Sequence, residues 1–304
     1  MLYGIIDIGS NTVRLAIYEI EGQNLTLLTK RKHTAGLAAH IRDNMMEREG
    51  IDKTVDILKE YRAFLDLMRI DAVVCFATAA LRNIANSRDV LREIEARSGL
   101  SVRLISGEEE ASYAFVGLIH ETSEQDGLIM DIGGASTELI FFKSREIVFK
   151  TSLPIGSLNT YCGFVKNLLP TEGECVAIER AVDIALREVD LPAVPVGRIC
   201  GVGGTFKGAL ALYNAFFDRD EGNRTMLISS VEKMCRHFRS DGGYSQRDAV
   251  VLLKSVQERL HTLFPGLAVA LSVIRRFGSE SIVYVDSGVR EGYIRKEIMK
   301  FGDD

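Results

Sequence analysis

Two stretches of the chain, IIDIGSNTVRL at 5–15 and IMDIGGASTEL at 129–139, follow nearly the same pattern. Each is an apolar run that ends in aspartate, followed by Ile-Gly, a small polar turn and a second β-prone stretch. The two aspartates, Asp7 and Asp131, are a domain's length apart, which is far too long for the period of a solenoid repeat. The repeated pattern therefore predicts an ancient duplication into two similar lobes.

The segments around the two copies predict the same order of elements in each lobe. Strands are expected at 2–8, 12–20, 25–34, DAVVCFA, SVRLI, 127–131, 137–142, 145–152, RICGV and SIVYVD, with helices near 51–69, 86–98 and from Gly107 onward. The order β-β-β-α-β-α, read twice, predicts an α/β fold of mixed sheets flanked by helices, with an interdomain cleft.

The polar stretch ETSEQDG at 121–127 is turn-prone and marks the expected boundary between the lobes. The predicted domains are residues 1–124 and 125–304, and the last helix is expected to pack back on the first lobe. LPAVPVG at 191–197 is interpreted as a local loop and not as a linker.

Composition and charge restrict the class of protein. The chain has 304 residues, of which 46% are hydrophobic, and a net charge of −5. An acidic surface does not attract polyanions, so any phosphate site must be local, and no sequence-specific nucleic-acid partner is expected. Five scattered cysteines without a CxxC spacing argue against a disulfide framework and a structural zinc site. The start, MLYGIIDIGS, is predicted to be a strand and not a signal peptide, and no membrane span is expected, so a cytoplasmic location is predicted.

Both Asp-Ile-Gly turns have the residue types of an anion-binding turn. Small residues such as Ser10 and Asn11 allow successive backbone amides to point at an anion, and glycine permits close approach. The aspartates Asp7 and Asp131, together with Glu138 in the second copy, suit a hard cation such as Mg²⁺ or Mn²⁺. For one copy alone, a tight β-hairpin with a buried, hydrogen-bonded aspartate is the favoured interpretation. Two copies facing one cleft favour phosphate binding.

A third glycine-rich turn lies in ICGVGGTFKGALAL at 199–212, between a predicted strand and a helix. Gly203, Gly204 and Thr205 would place amides at a helix N-terminus, which is an anion site. Neither the P-loop pattern nor the GxGxxG fingerprint is present. Tight packing between strand and helix is the alternative explanation.

The segment ISGEEEASYAFVG at 105–117 contains three consecutive glutamates, and their positions predict different roles. Ser106 and Glu109 have the spacing of a capping box, so Glu109 is predicted to be structural. Glu108 is expected in the first helical turn, facing solvent. Glu110 shares a face with small and apolar residues at i+3, i+4 and i+7, so it is predicted to point inward and to deprotonate a water. On this segment alone a solvated acidic run is the favoured interpretation, and it is the three predicted anion-binding turns that make Glu110 the best candidate for the base.

Cationic and nucleophilic candidates are few. TAALRN at 78–83 follows a strand and presents Arg82, whose guanidinium can bind phosphate oxygens bidentately. A capping or surface role for Arg82 is equally compatible with its spacing, and Arg14, Lys207 and Arg290 are weaker candidates. The five histidines form no ligand pattern and no GxSxG motif occurs, so covalent serine chemistry is not supported.

In these motifs the chain resembles the exopolyphosphatase and guanosine pentaphosphate phosphohydrolase family, in its short two-domain form. That family belongs to the actin–hexokinase–heat-shock ATPase superfamily. The motifs IDIGSNTVRL, ATAALR, ISGEEEA, MDIGGASTEL, SLPIGS, GVGGT, PGLAVAL and VDSGVREG occur in the order typical of the family. The resemblance implies two ribonuclease-H-like lobes, a Mg²⁺-dependent cleft, release of terminal phosphate and a homodimer.

The resemblance also assigns roles to individual residues. It implies that Glu110 is the general base and that Asp131 and Glu138 are linked to the metal. The phosphate-binding positions that it implies are Ser10, Asn11, Arg82, Gly133, Gly134, Ser136, Gly203, Gly204 and Thr205. Ala135 stands where the family usually has a third glycine, which predicts a narrower loop or slower turnover. Because the sequence ends near residue 304, the short form without the C-terminal helical domains of longer members is expected, and strong processivity is not expected.

The function expected from these features is hydrolysis of the terminal phosphoanhydride bond of polyphosphate, guanosine pentaphosphate, or both. The terminal phosphoryl group would lie between the two turns, with Glu110 aligning the attacking water. One alternative is an ATP-dependent small-molecule kinase of the same superfamily, which the ISGEEEA helix disfavours. The other is a non-catalytic sensor of guanosine tetra- or pentaphosphate, which Ala135 leaves open.

Overall fold

The computed structural model describes residues 1–192, 196 and 198–300. Most of the loop expected at 191–197, namely Ala193–Pro195 and Gly197, therefore lies outside the described residues. The chain forms two compact units, Met1–Glu109 and Glu110–Asp304. The domain boundary between residues 124 and 125 stays a prediction. The division between the compact units falls earlier, because most of the helix that contains Glu110 packs against the sheet of unit 2.

Unit 1 contains a five-stranded mixed sheet in the order β3-β2-β1-β6-β7. Its strands are β1 (Leu2–Ile8), β2 (Thr12–Glu21), β3 (Asn24–Thr34), β6 (Ala72–Ala77) and β7 (Arg103–Leu104), and a small separate hairpin contains β4 (Ile41–Arg42) and β5 (Met45–Met46). The first three strands form an antiparallel meander, whereas β6 and β7 run parallel to β1. The carboxyl ends of the three parallel strands therefore meet at one edge of the sheet.

Helices cover one face of this sheet. They are α1 (Arg48–Leu67), the single turn α2 (Ala79–Arg82) and α3 (Ser87–Ser98). Alternate strand residues such as Ile6, Leu15 and Cys75 pack against Leu58 and Ile94 on the helices. This alternation is the signature of strands with one helix-covered face, and it fixes which side chains point away from that core.

Unit 2 contains a six-stranded mixed sheet in the order β10-β9-β8-β11-β13-β12. Its strands are β8 (Gly127–Ile132), β9 (Thr137–Lys143), β10 (Glu146–Leu153), β11 (Arg198–Val202), β12 (Thr225–Leu227) and β13 (Ser281–Tyr284). As in unit 1, an antiparallel meander is followed by parallel strands, here β11 and β13 beside β8. The edge strand β12 runs antiparallel to β13 and has no counterpart in the sequence prediction.

Both faces of the second sheet are covered by helices. These are α4 (Gly107–Ile119), α5 (Ser157–Phe164), α6 (Glu172–Arg187), α7 (Gly203–Phe216), α8 (Ile228–His237), α9 (Gln246–Val256), α10 (Leu263–Arg275) and the short α11 (Val289–Tyr293), which continues into a π-helical turn, Ile294–Ile298. Leu139 and Phe141 of β9 face the large core with α6, α7 and α10. Ile140 and Phe142 face α4 on the opposite side.

The two sheets confirm the predicted fold class of mixed α/β units flanked by helices. Gly9 N donates to Thr12 O at 3.1 Å, and Gly133 N donates to Ser136 O at 2.9 Å, so the repeated sequence forms the same turn twice. Across the part of the chain that the structure describes, no helix combines the length and apolarity needed to cross a bilayer. All five cysteines are free thiols.

Candidate active site

The first turn lies at the carboxyl end of β1 and is almost entirely buried. Asp7, Ser10 and Asn11 are 8%, 4% and 6% exposed. Asp7 pairs with Arg14 across the hairpin, and the Arg14 Nη1 lies 3.4 Å from the Asp7 Oδ2. The negative charge of Asp7 is therefore already balanced by a neighbouring cation.

The polar groups of this turn are arranged around its backbone. The Ser10 carbonyl accepts from Ala38 N, and because a trans peptide places C=O and N–H on opposite sides, the Asn11 amide points away from that contact. The Asn11 Oδ1 is buried and has no hydrogen-bond partner among the described residues. A buried polar atom without a partner is expected where water or a ligand normally binds.

Arg82 lies at the same edge of the first sheet, at the end of α2. Its Nη1 donates to the carbonyl of Ile105, at 3.1 Å, just beyond β7. Thr78 N in turn donates to Ile8 O at 3.2 Å, which ties the start of α2 to the end of β1. Arg82 and the first turn are thus brought to one edge of the sheet of unit 1. The phosphate-binding role of Arg82 stays a prediction.

The second turn in unit 2 directs two of its amides away from the helix that follows it. Ser157 N bonds the Gly133 carbonyl at 2.8 Å, and the amides of Leu158 and Asn159 bond the Gly134 carbonyl, so the start of α5 uses these two carbonyl groups. The amides that follow them in the chain, those of Gly134 and Ala135, consequently point away from α5. Two adjacent amides directed to one side form an anion-binding nest.

Ala135 occupies this turn without backbone strain. Its φ does not fall in the left-handed region, where a non-glycine residue would be disfavoured. The alanine therefore fits the backbone conformation of the turn, and the slower turnover inferred from it stays a prediction.

A pair of carboxylates flanks the second turn. Asp131 and Glu138 are directly opposite each other on β8 and β9, and Glu138 is only 1% exposed. Side chains at opposed positions of an antiparallel pair lie on the same face with Cβ atoms about 5 Å apart. Ser152 on β10 donates to the Glu138 Oε1 at 2.8 Å, which holds that carboxylate in place.

The third turn brings the N-terminus of α7 to the same carboxylates. Gly203 has a φ of +80°, and a Cβ at this position would overlap the Asp131 carboxylate. Glycine is therefore needed at position 203 for two reasons: the left-handed backbone and the close approach of Asp131. Thr205 anchors the turn, because its hydroxyl donates to the Ile132 carbonyl at 2.9 Å.

Arg259 is a cation of this site that sequence reasoning missed. A Cβ on Gly204 would overlap the guanidinium of Arg259, so the guanidinium lies directly against the first turn of α7. Arg259 is more than fifty positions from the turn in sequence and lies in no motif, so no local pattern could have identified it. Lys207, a weaker candidate, instead pairs with Asp286 at 3.2 Å.

The three glutamates of α4 differ in their surroundings. The Ser106 amide donates to Glu109 Oε2 at 2.8 Å and the Glu109 amide donates to Ser106 Oγ at 3.1 Å, which confirms the capping box. The Ser106 amide, and then Arg103, hold the pKa of Glu109 below its usual value against the opposing effect of burial. Glu108 is exposed, whereas Glu110 is buried and only 8% exposed.

Two contacts set the direction of α4 on the sheet of unit 2. The Phe115 ring lies 5.9 Å from that of Phe142, which is opposite Gly127 at the start of β8. The Lys150 Nζ donates to Ser112 Oγ at 2.8 Å, closer to the end of β8. Residues toward the N-terminus of α4 therefore approach the end of the sheet that contains the carboxylate pair, and Glu110 belongs to this part of the helix.

A crossing with α11 also restrains α4. The Ser287 hydroxyl donates to the Gly117 carbonyl at 2.9 Å, and a Cβ on Gly117 would overlap the Gly288 carbonyl. Tyr113, one turn beyond Glu110, donates to Glu297 at 2.6 Å. The helix that holds Glu110 is thus packed on one side by the sheet and on another by the C-terminal helix.

These features agree with the comparison with known proteins. The model of the Ppx/GppA phosphatase family matches residues 16–301. The chain belongs to the Ppx/GppA phosphatase family. The predicted family resemblance is therefore confirmed.

Curated relatives within this family include larger proteins. The guanosine-5'-triphosphate,3'-diphosphate pyrophosphatase of Aeromonas hydrophila is 30% identical over 300 residues, covering 96% of this chain and 58% of the relative. The protein of the same name from Photobacterium profundum is 28% identical and is covered over 60% of its length. This Ppx/GppA chain thus spans less than two thirds of the curated relatives that it matches.

Solved structures of similar length share its fold. A Ppx/GppA family member from Aquifex aeolicus is 26% identical, with a TM-score of 0.78 over 100% of this chain and 99% of that one. An exopolyphosphatase from Cytophaga hutchinsonii is 22% identical, with a TM-score of 0.84 over 98% of this chain and 97% of that one. The fold prediction is confirmed by both.

Proposed function

We propose that this Ppx/GppA chain hydrolyses the terminal phosphoanhydride bond of polyphosphate, guanosine pentaphosphate, or both, and releases inorganic phosphate. The observation that supports this most strongly is the arrangement in unit 2. A buried glutamate on α4, a pair of carboxylates and two sets of backbone amides converge on one end of a sheet. These are the base, cation ligands and anion donors that phosphoryl transfer to water requires.

The carboxylate pair supports a divalent cation as cofactor. Mg²⁺ commonly binds one or two carboxylates and completes its shell with waters and substrate phosphates, and Asp131 and Glu138 fit that pattern. When bound, Mg²⁺ (or Mn²⁺) would neutralise charge on the phosphate oxygens. Asp7 as a third ligand stays a prediction, and its pairing with Arg14 favours a site made by Asp131 and Glu138 alone.

We assign the other roles to residues of the same unit. Glu110 orients the attacking water and accepts its proton, because a carboxylate is an acceptor-only group when ionised. The amides of Gly134 and Ala135 hold the terminal phosphoryl oxygens, together with those at the start of α7. Arg259 adds a fixed positive charge beside Gly204. Ser10, Asn11, Arg82 and Ser136 stay predicted phosphate ligands.

The names of the curated relatives support guanosine pentaphosphate as a substrate. The Cytophaga structure is described as an exopolyphosphatase. The kinase and sensor alternatives are not favoured by these relatives. A homodimer and a cytoplasmic location, expected from the sequence, stay predictions.

Glu110→Gln tests the proposal directly. We expect the kcat for phosphate release to fall about 10²–10⁴-fold while substrate binding is retained, because the amide cannot accept the proton. The assay measures phosphate release with Mg²⁺ from long polyphosphate, tripolyphosphate, guanosine pentaphosphate and ATP. Glu108→Gln, on the exposed side of the same helical turn, is the matched control and should retain a larger fraction of the activity. Near-normal turnover by Glu110→Gln would refute the assignment of the base.

A further inference from the structure

Three helices of unit 2 meet beneath the second and third turns. A Cβ on Gly266 of α10 would lie 2.7 Å from Thr205 Cγ2 of α7 and 3.0 Å from Ser157 Cβ of α5. The start of α5 is bonded to the second turn, and the start of α7 is the third turn itself. Side chains that extend from this junction are therefore fixed relative to both sets of phosphate-binding amides.

An aromatic pair extends from the junction. Tyr161 lies one helical turn beyond Ser157 on α5, and His261 lies just before α10. Their ring centroids are 5.1 Å apart in an edge-to-face arrangement, and both side chains are partly exposed. Because the rings meet edge to face, the pair leaves ring surface that another planar group can cover.

The charges around this pair suit a nucleotide. Arg259, two residues before His261, places its guanidinium against the first turn of α7. Burial, and then the charge of Arg259, lower the pKa of His261 below its usual value, which favours the neutral ring. Arg259 contacts the third turn and is two residues from His261, so a cation is near both the amides of that turn and the ring pair. A cation beside aromatic rings suits the phosphates and the base of a nucleoside polyphosphate.

We infer that Tyr161 and His261 form a base platform on which the purine of a nucleoside polyphosphate stacks while its terminal phosphate is held by the amides of the second and third turns. This inference rests on the proposed function and extends it, because it assigns a nucleotide as a substrate class. Inorganic polyphosphate has no base and does not use the platform. The pair therefore determines specificity and takes no part in bond cleavage.

The test compares substrates with and without a base. In Tyr161→Leu and His261→Leu, kcat/KM for guanosine pentaphosphate should fall about 5- to 100-fold, the effect of removing one base–aromatic contact, while kcat/KM for tripolyphosphate stays within about twofold. ATP should follow guanosine pentaphosphate, since stacking does not distinguish the purines. Tyr161→Phe and His261→Phe keep a ring and should retain the preference for the nucleotide.

An equal fall for nucleotide and tripolyphosphate would show that the pair only supports the fold, and no change for either would show that the base binds elsewhere. Calorimetric titration of guanosine pentaphosphate into Glu110→Gln, with and without Tyr161→Leu, separates the two proposals. Nucleotide binding that depends on Tyr161, together with no phosphate release from any substrate by the wild type, would support the platform and refute the hydrolase. Tripolyphosphate hydrolysis without any nucleotide binding would support the hydrolase and refute the platform.

Discussion

The turn at 9–12 and the turn at 133–136 have the same backbone hydrogen bond but differ in the charge opposite the aspartate. Both close with the same hydrogen bond from the glycine amide to the carbonyl three residues on. Both copies have an aspartate before the turn, but the residue paired with it on the next strand differs. In the first copy this residue is Arg14 and in the second it is Glu138. The first aspartate therefore lies opposite a cationic side chain, whereas the second lies opposite another carboxylate. The same turn thus occurs in two different electrostatic surroundings.

The largest expected effect comes from giving the second turn the charge of the first. In Glu138→Arg a cationic side chain replaces one carboxylate of the pair, and we expect phosphate release to fall by about 10³-fold or more because the proposed cation site would be lost. Isothermal titration with Mn²⁺ should show binding to the wild type and none to the variant.

Glu138→Gln is the matched control for size, and it should weaken Mn²⁺ binding without introducing a positive charge. If Glu138→Arg keeps both metal binding and turnover, the contrast between the turns has no functional meaning.

An intermediate effect is expected from removing the internal balance of the first turn. Arg14→Met leaves the buried carboxylate of Asp7 without its neighbouring cation, which should cost about 1–3 kcal/mol of stability. The loss of stability is measured as a shift in the midpoint of urea unfolding of unit 1, monitored through hydrogen exchange of the amides in β1 and β2.

Arg14→Met combined with Asp7→Asn removes the charge as well as its partner and should recover part of the loss. If Arg14→Met alone is as stable as the wild type, the ion-pair interpretation of the first turn is contradicted.

The smallest expected effect concerns the cap of α4, the helix that contains Glu110 beside the second turn. Ser106→Ala removes one half of the capping box and should destabilise the helix start by about 1 kcal/mol. Because the pKa of Glu109 is lowered in the folded protein, its ionic contribution is fully present above the unfolded-state pKa of about 4.3 and is lost as pH falls through the lower folded-state pKa.

Glu109→Gln preserves the hydrogen-bonding shape of the cap, so its stability should match the wild type more closely at pH 3 than at pH 7. Urea unfolding at these two values measures the difference. A gap that widens on acidification would have the wrong sign for this cap.

The sequence predicted most of the fold because its strands around the turns alternate apolar residues between two faces. Exact ends were less predictable: SVRLI pairs over only Arg103–Leu104, since β6 offers partners to just those residues. The short strand Thr225–Leu227 has no periodicity of its own and exists because it lies beside β13.

For the site, local motifs identified what is close in sequence. The capping box at Ser106 and the burial of Glu110 followed from spacing on one helix. Arg259 was missed, because it reaches the third turn only through tertiary packing, which no pattern of consecutive residues encodes.

The amides of Gly134 and Ala135 have a consequence for how such proteins evolve. A donor that belongs to the main chain survives every side-chain replacement at its position except proline, which lacks the N–H. A side-chain carboxylate, in contrast, is lost in a single amino-acid substitution. If these amides bind phosphate as proposed, a homologue that has lost catalysis would still bind phosphate compounds. Affinity for such compounds would then not distinguish a catalytically active member of the family from an inactive one.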